Sequence, residues 1–194
     1  GREHGDSMSE EEKKVFIGID VSKDKLDVAV RPAETGRTFS TDEDGISFLV
    51  NFVKSHSPSL IVLEASGGLE TAAVGALAIE ALPVVVINPR QMRDFAKATG
   101  KLAKTDAIDA RTIARFAELL QPEVRPLKDE EAQKLTAFNT RRRQIVEMIT
   151  AEKNRLSSAP IWTRKDIKAH ISWLEKCLKK VDNDLNKFLK KSPV

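Results

Sequence analysis

The sequence predicts an α/β domain followed by a long α-helical hairpin. Short β-branched runs alternate with longer helical patterns from Val15 to Leu120. Pro122 and Pro126 close that pattern. Beyond them apolar residues recur at steps of three and four, with one break at Pro160.

Each element has its own signal. "VFIGIDV" (15–21) is a short apolar run and predicts a buried strand. "KLDVAVR" (25–31) alternates Leu26, Val28 and Val30 with polar neighbours, and "GRTFST" (36–41) is a weaker third strand. The gaps are too short for crossovers, so the three form an antiparallel meander. "DGISFLVNFVKS" (44–55) predicts a helix capped by Asp44. "SLIVLEA" (59–65) is a buried strand, "GLETAAVGALAIEA" (68–81) a small-residue helix and "LPVVVIN" (82–88) another strand. "PRQMRDFAKAT" (89–99) starts a helix at Pro89, where the missing N–H costs nothing. "KTDAIDARTIARF" (104–116) predicts one amphipathic helix, with Ala110, Ile113, Ala117 and Leu120 facing inward and Arg111, Arg115 and Glu118 facing out. A meander followed by βαβ units is the pattern of a ribonuclease-H-like mixed sheet with flanking helices, which other mixed α/β folds share.

The tail is purely helical. Leu135, Phe138, Arg142, Ile145, Ile149, Glu152 and Leu156 form one seam; Ile167, Ile171, Leu174, Leu178, Val181, Leu185 and Phe188 form a second. "TRKD" (163–166) places Thr163 as the cap of the second helix. Two helices of about 35–40 Å joined at a proline turn make an antiparallel hairpin or coiled coil. Neither helix buries its stripe alone, so a homodimer or higher self-assembly through the hairpin is expected. The predicted divisions are a tag remnant and disordered N-terminus (1–14), the α/β domain (15–126) and the hairpin (127–194).

Composition narrows the class. The 194 residues are 41% hydrophobic, enough for one core and an appendage. No run of about 18 apolar residues predicts a membrane span. "GREHGDS" is too polar for a signal peptide, and the lone Cys177 fits a reducing cytoplasm. Residues 128–194 carry 16 Lys+Arg against 9 Asp+Glu; residues 1–127 carry 16 against 20. An acidic domain with a basic tail suits a cation-binding core and a polyanion-facing appendage, although a solvated Lys-rich helix surface has the same composition.

Four acids carry the chemistry. Asp20 ends the first strand, and Glu64 ends "LIVLE". Asp106 and Asp109 lie four residues before Ala110 and Ile113, so both extend the inward stripe of the predicted helix. Ionised carboxylates buried without partners cost several kcal/mol each, so cations are expected between them. Mg²⁺, or Mn²⁺, takes oxygen ligands and phosphates. Two such ions about 3.5–4 Å apart clamp a phosphodiester for displacement. Three of them also have a plainer reading: Asp20 starts a turn, Glu64 bonds the Ser66–Gly67 turn, and Asp106 complements a helix capped by Thr105; Asp109, deeper on the apolar face, is harder to excuse.

Together, "IGIDVSKDKLDVAV", "VLEASGG", "NPRQMRDFAKATGKLAKTDAIDARTIARF" and the "APIW…HISWLEKCLKKVD" hairpin resemble the DEDD transposases of bridge-RNA-guided insertion sequences. The Piv/MooV site-specific DNA invertases belong to the same group. The resemblance runs from about Val15 to the chain end. It implies a domain like the RuvC junction resolvase, with Asp20, Glu64, Asp106 and Asp109 as the catalytic acids that bind Mg²⁺ for DNA strand cleavage and exchange. It also implies DNA and a guide (bridge-type) RNA as partners. Such transposases continue into a second domain bearing a serine nucleophile. The resemblance therefore makes this chain an expected N-terminal fragment that keeps the metal site.

Basic residues surround the acids in sequence. Arg90, Arg93, Lys97, Lys101 and Lys104 precede Asp106, and Arg141, Arg142 and Arg143 lie on the hairpin; all eight are nucleic-acid candidates. Arg142 falls in the seam, which also suits internal pairing. Trp162 and Trp173 read as packing residues. Rival classes are a stand-alone junction resolvase or nuclease, a non-catalytic RNA-binding and dimerisation module, and a sugar-kinase-type ATPase. The last needs phosphate turns and a second lobe that 194 residues do not supply.

Overall fold

The computed structural model describes residues 13–100 and 108–191. Strands β1 (Phe16–Val21), β2 (Lys25–Arg31) and β3 (Thr35–Ser40) form the antiparallel meander. Strands β4 (Leu60–Glu64) and β5 (Val84–Ile87) add in parallel beside β1, giving the order β3-β2-β1-β4-β5. Helices α1 (Glu43–Ser55) and α2 (Thr71–Ile79) make the two crossovers.

Side-chain alternation along the strands builds two cores. On one face Ile17, Ile19, Leu26, Val28 and Val30 meet Leu49 and Val53 of α1 and Leu77 of α2. On the other, Phe16, Leu60 and Val62 meet α3 (Pro89–Ala98) and α4 (Ala110–Leu120) through Met92, Ile113 and Phe116. Each fully buried Leu, Ile or Phe among these contributes about 1.5–3 kcal/mol.

Helix starts differ from expectation in three places. The cap of α1 is Asp42, not Asp44: its carboxylate accepts the Gly45 N–H at 2.7 Å and the Ser40 hydroxyl at 2.7 Å. The Ser40 bond first, then the Gly45 bond, holds this carboxyl below the usual range. Asp44 instead sits in the first turn, where its charge complements the helix N-terminus. The fourth helix of the predicted domain starts at Ala110 rather than near Lys104, because Asp109 caps it. The hairpin's second helix starts at Ile161, directly after Pro160, so Thr163 is not its cap. Thr163 lies in the first turn, its N–H and hydroxyl donating back to the Pro160 carbonyl.

The hairpin helices α5 (Asp129–Ser158) and α6 (Ile161–Lys191) have 30 and 31 residues, about 45 Å each. They exceed the expected length because the helix continues outside the apolar seam. The seam is covered within the chain. Ile145, Ile149 and Leu174 pack with Cys177, Leu178 and Val181, and Leu174 is 1% exposed. Leu135, Leu185 and Leu189 join the main core. The uncovered stripe that motivated a dimer is therefore not left uncovered.

Two polar seam positions are satisfied by ion pairs. Arg142, 16% exposed, donates through Nε to Asp182 at 2.8 Å and pairs with Glu43 of α1. Glu152 lies 2.8 Å from His170 Nδ1 and 2.6 Å from Arg155. Trp162 and Trp173 are not packing residues: they are 88% and 60% exposed, and Trp173 stacks on His170. Both lie off the seam, on the solvent side of α6. No described helix is long and apolar enough to cross a membrane.

Candidate metal centre

The α4 side of the sheet carries a row of carboxylates. Asp20 and Asp27 are direct partners across β1 and β2. The parallel register pairs Ile19 with Leu63, so the next step places Asp20 beside Glu64. Strand spacing puts neighbouring members of this row about 4.8 Å apart at the backbone. Asp109 caps α4 above the row, close enough that its charge raises the pKa of Asp20.

Burial pushes the Asp20 carboxyl up first, and the charges of Asp27 and Asp109 push it further. Burial also raises Glu64, as does Asp20, while Arg93 opposes the rise. Neither Asp20 nor Glu64 has a hydrogen-bond donor among the described residues. The plainer reading of Glu64 does not hold either, because Glu70 serves the following turn. One Glu70 oxygen accepts the Ser66 N–H (2.9 Å), the Ser66 hydroxyl (3.0 Å) and the Gly68 N–H (3.1 Å).

Asp109 departs from its predicted place. It is exposed rather than inward, and its Oδ1 accepts the Thr112 N–H at 2.9 Å and the Thr112 hydroxyl at 3.0 Å. Those bonds hold the orphan donors of the first turn, so the helix begins after Asp109 instead of running through it. Its second oxygen takes part in neither bond. Asp106, Lys101 and Lys104 lie outside the described residues.

Asp27 was not among the predicted acids. It is half-buried and accepts the Thr38 hydroxyl at 2.7 Å. Its signal was present in the sequence. Asp20 and Asp27 flank a short turn between two strands, and period-two alternation puts both opposite the Leu26–Val28 face.

The donors are all carboxylate oxygens, which suits Mg²⁺ or Mn²⁺ and not a thiophilic metal. Among the described residues, no three His, Cys, Asp or Glu side chains are already gathered to hold one ion. Mg²⁺ is commonly held by one or two carboxylates with water and substrate phosphate, a requirement that Asp20 and Glu64 meet.

The basic candidates divide. Arg90, Arg93 and Lys97 recur at steps of three and four on α3, and the charge of Arg93 acts on Glu64. Arg90 and Lys97 are exposed. Arg141 and Arg143 are exposed on α5, whereas the Arg142 guanidinium is engaged by Glu43 and Asp182.

The strand order and the carboxylates on its inner strands define a ribonuclease-H-like domain with a helical extension. The chain belongs to the DEDD transposase family of the IS110 type: that family's model, described as "Transposase", matches residues 17–159. It is also similar to the pilin gene-inverting proteins of Moraxella lacunata and Moraxella bovis. Each is 25% identical over 187 residues, which cover 93% of this chain. The match spans 58% of the length of those relatives.

Proposed function

We propose that this chain carries the metal-dependent DNA-cleaving centre of a transposase or site-specific recombinase, with Asp20, Glu64, Asp106 and Asp109 as its acids. The observation that carries the reading is the pair of adjacent, half-buried carboxylates, Asp20 and Glu64, without donors among the described residues. Such a pair is costly until a cation neutralises it. Mg²⁺ or Mn²⁺, when bound, would supply Lewis-acid activation of the attacked phosphodiester.

The chain's own residues then have distinct roles. Asp20 and Glu64 anchor from the sheet, and Asp109 supplies a free oxygen from the cap of α4. Arg93, with Arg90 and Lys97 behind it, holds the substrate backbone beside Glu64. Asp27 adds negative charge to Asp20 and is steadied by Thr38.

The relatives' names describe gene inversion, a DNA rearrangement, which supports DNA as substrate. The match spans little more than half of those relatives, and the step we propose for these residues is strand cleavage. A guide RNA is a further proposed partner, for which the basic hairpin with Arg141 and Arg143 offers the attraction. Self-association through the hairpin is also proposed. A second copy would meet its outer surface, where Trp162 and Trp173 stand, since the seam is already used.

The test is nicking of supercoiled DNA in Mn²⁺. The unaltered chain should nick, and Asp20→Asn and Glu64→Gln should each reduce nicking at least about a hundredfold. Nicking that survives both substitutions would end the reading. Strong preference for four-way junctions would favour a resolvase.

A further inference from the structure

Helix α4 lies over β1, β2 and β4, and among the described residues no element packs over the face of β3 on that side. The space left is a groove of about 1170 Å³, above the roughly 300–1,000 Å³ of ordinary small-molecule sites. Its floor is small: Ala29 and its partner Gly36, then Asp27 and its partner Thr38. Its wall is α4, with Arg111 and Arg115. Asp27 and Asp109 also line it, so one end of the groove opens at the carboxylate row.

The arginines along the groove are not equivalent. Arg31 is neutralised by Glu34 and Glu118, at 3.1 Å each. The Arg37 guanidinium lies against Phe39 and Phe52, which belong to the opposite face. Arg111 and Arg115 have no carboxylate partner among the described residues. They stand four residues apart on one side of α4, about 6 Å along its axis. Arg111 is exposed and Arg115 half-exposed, and both line the groove.

Two guanidiniums without a carboxylate partner among the described residues, above a small-residue floor, favour an extended anion. Guanidinium forks match phosphate oxygens, and Ala29 and Gly36 leave room for a chain to lie close. The acids at the mouth oppose a polyanion only at that end, and the two arginines offset them along the groove. We propose that this groove seats the sugar-phosphate backbone of a nucleic-acid strand, with Arg111 and Arg115 each contacting a phosphate, and leads that strand to the carboxylates. The assignment of direction rests on those carboxylates being the cleaving centre; the groove's affinity does not.

The test is fluorescence-anisotropy titration of labelled duplex DNA in EDTA at several salt concentrations, using the full chain. The double variant Arg111→Ala, Arg115→Ala should weaken binding about tenfold or more. Losing two phosphate contacts should lower the log–log salt slope by about two units. The double variant Arg111→Lys, Arg115→Lys should keep most of the slope, with unchanged far-ultraviolet circular dichroism for both variants. An unchanged slope in the alanine variant would overturn the proposal. So would labelled polyglutamate binding as tightly as DNA and losing affinity in the same variant, since the groove would then suit an acidic protein segment. Because the titration contains no divalent metal, its failure is separate from failure of the metal centre, which is read by Mn²⁺ binding.

Discussion

Gly18 and Ala114 meet backbone to backbone: a Cβ added at Gly18 would stand 2.2 Å from the Ala114 amide nitrogen. It would also lie 2.5 Å from the Ala110 carbonyl oxygen. The absent side chain sets how closely α4 approaches β1. Gly18 is two residues before Asp20 on the same face, and Ala110 directly follows Asp109. The close approach therefore determines how near Asp109 comes to Asp20. Gly18→Ala should force the helix outward, at a cost of about 1–3 kcal/mol or more by urea unfolding. It should also weaken Mn²⁺ binding. A variant with wild-type stability would show that the helix accommodates a methyl group there.

Asp109 holds two roles that substitutions separate. Asn caps helices about as well as Asp, so Asp109→Asn should unfold at nearly the wild-type urea midpoint. Asp109→Ala should lose about 1 kcal/mol through the missing cap. Both should bind Mn²⁺ more weakly. If Asp109→Asn bound the metal normally, Asp109 would be a cap alone.

The raised pKa values of Asp20 and Glu64 predict a pH signature. A carboxyl with a higher pKa folded than unfolded favours the folded state while protonated. That advantage fades as pH rises from the ordinary carboxylate range through the raised value, above which ionisation is a net cost. Without metal, Asp20→Asn should therefore melt above the wild type near about pH 7, and the gain should vanish below about pH 4. Adding Mg²⁺ should reverse the order at neutral pH, because only the wild type gains stability from binding. Thermal melts across pH, with EDTA and with Mg²⁺, measure both effects.

Arg142 ties the hairpin to α1 through Glu43 while pairing with Asp182 of α6. Arg142→Met should cost about 1–2 kcal/mol, between an exposed and a fully buried ion pair. Leu174→Asp places a charge inside the seam and should destabilise the hairpin itself. Urea unfolding followed by circular dichroism distinguishes this from simple loss of self-association, which would leave the unfolding midpoint of a monomer unchanged.

Much of this was legible in the sequence, for identifiable reasons. The meander and βαβ order follow from β-branched runs and short gaps, and the hairpin follows from its three–four spacing. The start of α4 was obscured because Asp106 and Asp109 continue the apolar period of Ala110 and Ile113. The cap signal "DART" (109–112) competes with that period, and the Thr112 bonds decide for the cap. Asp27 looked like the polar half of an alternating strand; the short turn that it flanks with Asp20 was the signal, and the cross-strand register makes the two direct partners. Trp162 and Trp173 looked like core by residue type, but their helix positions lie off the buried seam. Arg142 broke the apolar seam in sequence; its two carboxylate partners are 40 and 99 residues away and carry no local signal.

The most direct test of the carboxylate row as a metal centre is Mn²⁺ binding followed by electron paramagnetic resonance on the unaltered chain and on Asp20→Asn, Glu64→Gln and Asp109→Asn. Free Mn²⁺ signal should fall on adding the unaltered chain, and each substitution should raise the dissociation constant about tenfold or more. Equal binding by all four proteins, or none by the unaltered chain, would contradict the assignment.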